Sequence, residues 1–120
     1  IAGPLFSTRT KPEMARLSFA TPAQLRECGI ITALCTDHQI IPENYLMLCA
    51  ALAVKHGMSE QDALAAITIS AARTAGIETR VGSIVPGKDA DIVLFDRHPF
   101  DLFSKVQLVM INGQVSYRCI

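Results

Sequence analysis

The spacing of apolar residues changes near residue 77, and this change constrains the fold more than any other feature of the sequence. Before it, short apolar runs at residues 1–6 and 30–35 alternate with longer segments in which apolar residues recur at helical spacing. Short, β-branched runs of this kind, each followed by a helical segment, are typical of parallel strands covered by helices. The first part of the chain is therefore predicted to be α/β.

The second part of the chain has the pattern of antiparallel strands. Residues 90–96 and 106–111 are predicted to be strands, and residues 114–118 form a third. Asn112-Gly113 separates the last two strands. This dipeptide is a strong hairpin signal, because a type I′ turn needs positive φ at both central positions.

Several short signals predict where helices begin. Thr21 and Pro22 fit the cap and the first position of one helix, and Pro42 is expected to open a long apolar helix that runs to residue 56. Ser59 is predicted to cap the next helix, and Ser70 the last one before the pattern changes.

Composition excludes several classes of protein. Half of the residues are hydrophobic, which is incompatible with a disordered chain. Eleven Lys plus Arg balance eleven Asp plus Glu, so there is no basic excess to indicate a nucleic-acid or membrane partner. We expect neither. The chain begins at Ile1 rather than Met, and we expect it to be part of a longer protein.

The four cysteines are widely spaced and contain no CxxC pair, which argues against a structural zinc site. Disulfides concentrate in secreted proteins, so we expect reduced thiols and a cytoplasmic location. Cys28, Cys35 and Cys49 lie in apolar runs and are expected to be at least partly buried.

The candidate chemical site is Thr36-Asp37-His38, which directly follows the apolar run at 30–35. In folds with parallel strands, binding sites lie at the carboxyl ends of those strands. A carboxylate and an imidazole at this point indicate a catalytic site. An Asp after a strand also commonly caps the following helix, and the residues alone leave both interpretations open.

Two further segments resemble a known family. The stretch GSIVPGKDADIVLF at residues 82–95 and the stretch VMINGQV at residues 109–115 resemble the C-terminal part of metal-dependent amidohydrolases, in the branch related to imidazolonepropionase. The resemblance implies an incomplete α/β fold. Residues 1–77 would be the last two βα units of a (β/α)8 barrel, and residues 78–120 the C-terminal strands of a small β-sandwich domain.

The same resemblance implies roles for four residues. Asp37 matches the strand-eight aspartate of the family, which contacts a divalent metal, zinc or iron, and carries a proton from the attacking water to the leaving nitrogen. His38, Arg9 and Lys11 are the candidates for substrate binding. The alternatives are a loop histidine and a solvated basic loop.

Other metal ligands of the family, a His-x-His pair and further histidines, have no counterpart in these 120 residues. We therefore expect this chain alone to bind no metal and to be inactive. The leading hypothesis is the C-terminal segment of a hydrolase of non-peptide carbon–nitrogen bonds in small molecules. The alternative is a non-catalytic folding or association module that completes a barrel with another chain or self-associates.

Overall fold

The computed structural model describes residues 1–6 and 12–120, apart from the side chain of Glu13. Within these ranges the chain forms four α-helices, two short 3₁₀ turns and one antiparallel sheet. The 3₁₀ turns are Pro12–Met14 and Glu43–Tyr45, the helices are α1 (Thr21–Glu27), α2 (Leu46–Lys55), α3 (Glu60–Ala66) and α4 (Ile69–Ala75), and the strands are β1 (Ile92–Phe95), β2 (Val106–Ile111) and β3 (Gln114–Arg118).

Helices α2 and α3 supply the centre of the core. The buried side chains of α2 and α3 are small, so the two helices can pack closely. Larger, partly buried side chains surround this centre. Leu5, Leu34 and Ile41 from the connecting segments complete this core. Five helical side chains are completely buried: Cys49, Ala50, Ala53, Ala63 and Ala66.

The predicted cap at Ser59 is confirmed, because its hydroxyl accepts a hydrogen bond from the Asp62 N–H over 3.0 Å. The prediction for Thr21 is wrong. Helix α1 begins at Thr21 itself, and Ala20, already in a helical conformation, occupies the cap position without a side-chain hydrogen bond. A turn that starts at Ser18 sets this conformation, since the Ser18 hydroxyl accepts from the Ala20 N–H.

The two other predicted helix starts are displaced. Pro42 has an extended ψ of 141° and leads into the 3₁₀ turn, so α2 begins four residues later, at Leu46. Ser70 lies inside α4, where its side chain is buried, and Thr68 takes the cap position. Proline fixes φ but leaves ψ free, so it indicates that a helix is near without fixing its first residue.

The sheet has the order β1-β2-β3, and its neighbouring strands are antiparallel, as the sequence predicts. The hairpin at Asn112-Gly113 is confirmed, with φ values of 49° and 76°. The Asp91 carboxylate accepts the Asn112 N–H over 2.8 Å, and the Ala90 carbonyl accepts the Gly113 N–H over 3.1 Å. These bonds tie the turn to the chain just before β1.

Candidate functional site

Two extended segments lie side by side next to the core and position the candidate site. The Ala2 N–H donates to the Ala33 carbonyl over 2.7 Å, and the Cys35 N–H donates to the Ala2 carbonyl over 3.0 Å. These two bonds form one parallel bridge between Ala2 and Leu34. The neighbouring Leu34 N–H donates to the Ala66 carbonyl at the end of α3.

The two predicted strands at residues 1–6 and 30–35 are therefore shorter than expected. Their parallel direction is confirmed, but within the described residues the pairing is a single bridge. Pro4 has no N–H to donate, so the ladder cannot extend past it in the usual way. Ile30 and Ile31 are about half exposed, which contradicts the expectation of a segment buried on both faces.

A tight turn follows the second segment and carries the candidate residues. Asp37 has a φ of 53° and Gln39 a φ of 88°, both in the left-handed region that non-glycine residues rarely adopt. The Ile40 N–H donates to the Asp37 carbonyl over 2.9 Å. Thr36 before the turn and Ile41 after it are buried, so the turn is anchored at both ends. Backbone conformations of this kind concentrate at functional sites.

Asp37 and His38 are brought together on this turn, and both are exposed. Neither side chain makes a hydrogen bond or an ion pair with another described residue. The helical elements that follow have Pro42 and Tyr45 in their cap positions and no side-chain cap. Asp37 therefore caps neither of them, and its carboxylate oxygens are available to a ligand.

The other two histidines have partners elsewhere. His56 stacks on Phe19, with ring centroids 5.0 Å apart. His98 accepts a hydrogen bond from the Phe100 N–H and lies 3.8 Å from a Glu60 carboxylate oxygen. Arg9 and Lys11, the remaining candidates for substrate binding, lie outside the described residues.

In the described part of the chain, no group of three or more His, Cys, Asp or Glu side chains could hold a metal ion. The donor chemistry at the turn nevertheless suits a divalent cation, because Asp37 presents an unpaired carboxylate and such oxygens are good metal ligands. The residues present thus fit one ligand of a metal site, and the remaining ligands would have to come from elsewhere.

The cysteines are free, as expected, but they differ in exposure. Burial raises the pKa of the Cys49 thiol above its usual value, while a backbone hydrogen bond from Leu5 opposes this. Cys49 is therefore an unreactive thiol of the core. Cys35 is half-buried, but Cys28 is exposed, contrary to expectation, because it lies just past the end of α1 rather than on its buried face.

Lys88 has a structural role that the sequence patterns did not predict. Its ammonium donates to the Ser83 hydroxyl over 2.8 Å and to the Val81 carbonyl over 3.2 Å, and it also bonds the Glu78 carbonyl. A single charged group thereby closes the loop that leads to the sheet. The sequence did contain a signal for this contact, because Lys88 belongs to the Gly-Lys dipeptide of the family motif.

An apolar groove of about 700 Å³ lies between α2 and the loop that joins β1 to β2. Met47, Leu52 and Phe100 are among its lining residues, and neither Asp37 nor His38 is. No helix in the described ranges has the length and apolar character that a membrane span requires.

The family model described as "Amidohydrolase family" matches residues 16–116. The chain belongs to the amidohydrolase family, which confirms the resemblance in its sequence.

Three similar proteins illustrate the relationship. The crystal structure of an amidohydrolase from Thermotoga maritima MSB8 superposes with a TM-score of 0.95 at 42% identity, over 99% of this chain and 31% of that one. An imidazolonepropionase from Geobacillus kaustophilus is 38% identical over 80% of this chain and 22% of its own. A 5-methylthioadenosine/S-adenosylhomocysteine deaminase from Symbiobacterium thermophilum is 54% identical over 45% of this chain and 14% of its own.

This chain thus spans less than a third of each of these proteins. Its mixture of helices and strands fits an α/β part of the amidohydrolase fold.

Proposed function

We propose that this chain is the C-terminal segment of a metal-dependent hydrolase that cleaves non-peptide carbon–nitrogen bonds in small molecules such as cyclic amides and amidines. Membership of the amidohydrolase family and relatives that act on carbon–nitrogen bonds support this proposal. The observation that carries it is the Asp37 carboxylate, which is exposed, unpaired among the described residues and held in a left-handed turn at the end of a parallel bridge.

Asp37 is the proposed catalytic residue and metal ligand. Its carboxylate accepts a proton from the attacking water and then delivers that proton to the leaving nitrogen, which would otherwise depart as a poor anion. A bound zinc or iron ion would polarise the substrate carbonyl and make water acidic enough to react near neutral pH. The left-handed turn contributes by placing the Asp37 backbone at the end of the parallel bridge, from which the exposed carboxylate can come within hydrogen-bond distance of a ligand.

His38, Arg9 and Lys11 are proposed to bind the substrate. His38 lies next to Asp37 and is exposed without a partner among the described residues, so its ring is free to contact a ligand at the same turn. Arg9 and Lys11 belong to the segment that follows the first extended run, and their cationic side chains would bind an anionic or carbonyl group. We place the enzyme in the cytoplasm.

Residues 1–77 are proposed to be the last part of a (β/α)8 barrel, and residues 78–120 part of a composite β-sandwich domain. Both parts leave apolar surface uncovered. Ile31 in the first part and Leu102 in the second, for example, are 53% and 82% exposed, and β1 and β3 each have one unpaired edge in the described sheet. Such surfaces favour association. We propose that the N-terminal part of the same enzyme covers them, and that the chain on its own self-associates and is inactive.

The test is an assay of the full-length gene product against a panel of cyclic amides, amidines and dipeptides. We expect hydrolysis within the first two groups, loss of activity after chelation and recovery when zinc or iron is restored. The 120-residue chain, assayed in parallel as the matched control, should hydrolyse none of them. Activity that resists chelation, or activity in the isolated chain, would contradict the proposal.

A further inference from the structure

We propose that Gly3 is a positioning residue for Asp37, because only a residue without a side chain lets the first extended segment approach the backbone that carries the catalytic turn. The proposal rests on the function assigned to Asp37 above. It adds a residue that makes no contact with a ligand and acts through the placement of the Asp37 backbone.

The close approach is visible at one contact. A Cβ atom built on Gly3 would lie 2.0 Å from the Cys35 carbonyl oxygen and 3.0 Å from the Cys35 carbonyl carbon. Real Cβ atoms do not approach backbone atoms this closely, so any other residue would have to separate the two segments. Gly3 also has a φ of 149°, which side chains disfavour.

The contact between Gly3 and Cys35 is close in sequence to the Asp37 carboxylate. Cys35 is two residues before Asp37, and its N–H is held by the Ala2 carbonyl next to Gly3. The intervening Thr36 is buried. A shift of the Cys35 carbonyl would therefore be passed on to Asp37 through a short, packed stretch of backbone.

The segment that contains Cys35 is also held on the side opposite Gly3, which limits how a clash between a Cβ at position 3 and Cys35 could be relieved. The Leu34 N–H donates to the Ala66 carbonyl of α3, and Leu34 is buried in the core. The segment thus has the helix on one side and residues 2–3 on the other. Since the clashing atoms at Cys35 include backbone, no rotation of a side chain removes the clash.

Two other glycines provide matched controls. Gly29 has a φ of 77° with nothing within 4 Å of a built Cβ, so Gly29→Ala adds backbone strain alone. Gly82 has a φ of 87°, and a Cβ there would lie 2.8 Å from the Ala72 side chain of α4. Gly82→Ala therefore adds strain and a clash against a different element.

The experiment uses the full-length gene product, stripped of metal and titrated with cobalt(II), whose visible absorption reports the geometry of its ligands. Gly3→Ala should change the absorption spectrum and weaken cobalt binding by about 10- to 100-fold, the usual cost of removing a group that orients a metal ligand. Gly29→Ala and Gly82→Ala should keep the wild-type spectrum. Adding Cys35→Ala to Gly3→Ala should not restore the spectrum, because the closest contact is to backbone.

A wild-type spectrum and affinity in Gly3→Ala would overturn the proposal. So would equal changes in the two control variants, or a Gly3→Ala protein that is unfolded by circular dichroism, since Gly3 would then act on the fold as a whole. Asp37→Ala, which removes both carboxylate oxygens, is included to separate the two hypotheses. If this variant leaves the cobalt spectrum unchanged, the function proposed for Asp37 fails; if it alters the spectrum while Gly3→Ala does not, only the positioning role fails.

Discussion

The two parts of this molecule are built from equally regular elements but differ sharply in burial. Every buried residue of the described structure lies before residue 77, and no residue from 78 to 120 is buried. All five residues of β3 are exposed. The first part therefore has a core of its own, whereas the sheet of the second part is held together by backbone hydrogen bonds and local turns.

The two parts also differ in how far apart in the sequence their interacting residues are. The Asn112-Gly113 hairpin and the ladder between β2 and β3 need only residues close together in the sequence. The bridge between Ala2 and Leu34 brings together residues about thirty positions apart. Its stability depends on the helices packed beside it, because one parallel bridge contributes little by itself.

The largest expected effect on stability is a core substitution in the first part, compared with the same substitution in the sheet. Leu34 is 4% exposed and Leu94 is 51% exposed. Leu34→Ala should lower the free energy of unfolding by about 2–5 kcal/mol, because it leaves a cavity in the core. Leu94→Ala should cost less than about 1 kcal/mol, since half of its surface is already in water.

Urea unfolding of the 120-residue chain and of the two variants, followed by circular dichroism at one fixed chain concentration, measures both losses in the free energy of unfolding. Similar losses in Leu34→Ala and Leu94→Ala would show that the sheet has a core comparable to that of the helical part. The contrast drawn between the two regions would then be wrong.

A smaller effect is expected from an ion pair within the helical part. Arg26 on α1 lies 2.7 Å from the Asp62 carboxylate on α3. The Ser59 hydroxyl is the main cause of the lowered pKa of Asp62, and Arg26 lowers it further, while burial acts in the opposite direction. The charged form of Asp62 therefore stabilises the fold at pH values above the unfolded pKa of about 3.9.

This stabilisation is lost as the pH falls through the lowered pKa of the folded state. Because the pair is about one-third exposed, we expect Asp62→Asn to cost about 0.2–1 kcal/mol at pH 7. The difference from wild type should shrink as the pH falls below about 4 and disappear once the pH is below the lowered pKa of the folded state. Thermal unfolding of wild type and Asp62→Asn at several pH values measures this difference. The stability of Ser59→Ala should depend less on pH than that of wild type, because Ser59 is the main cause of the lowered pKa of Asp62. A difference that grows on acidification would have the wrong sign.

The sequence predicted the second part of the molecule better than the first. The hairpin and the three strands depend on turn residues and alternation, which are local and readable. The strand boundaries agree with the expected ranges to within about two residues. In the first part, the start of α2 and the length of the extended segments were wrong, because they depend on packing between distant residues.

The candidate site was only partly predictable for the same reason. Its residue types and their position after an apolar run indicated Asp37 and His38. The left-handed turn, the buried anchors Thr36 and Ile41, and the close approach at Gly3 all follow from long-range contacts that no spacing pattern reports.

On the proposed function, the chemistry belongs to the turn that carries Asp37 and not to the carboxylates of residues 78–120. Asp37 and Asp91 are both exposed, but only Asp91 has a described partner, the Asn112 N–H of the hairpin. Asparagine preserves an acceptor oxygen at either position and removes the ability to take up a proton. The pair Asp37→Asn and Asp91→Asn is therefore a matched comparison.

The most direct test is kcat of the full-length gene product and of these two variants, on the best substrate of the panel and at equal bound metal. Asp37→Asn should lower kcat by about 100-fold or more, because both proton transfers lose their carrier. Asp91→Asn should stay within about twofold of wild type, because Asp91 lies outside the proposed site and a surface substitution usually changes stability by no more than about 0.5 kcal/mol. An Asp37→Asn enzyme that keeps more than about a tenth of the wild-type rate would lie outside the range for a general acid–base residue and would contradict the account.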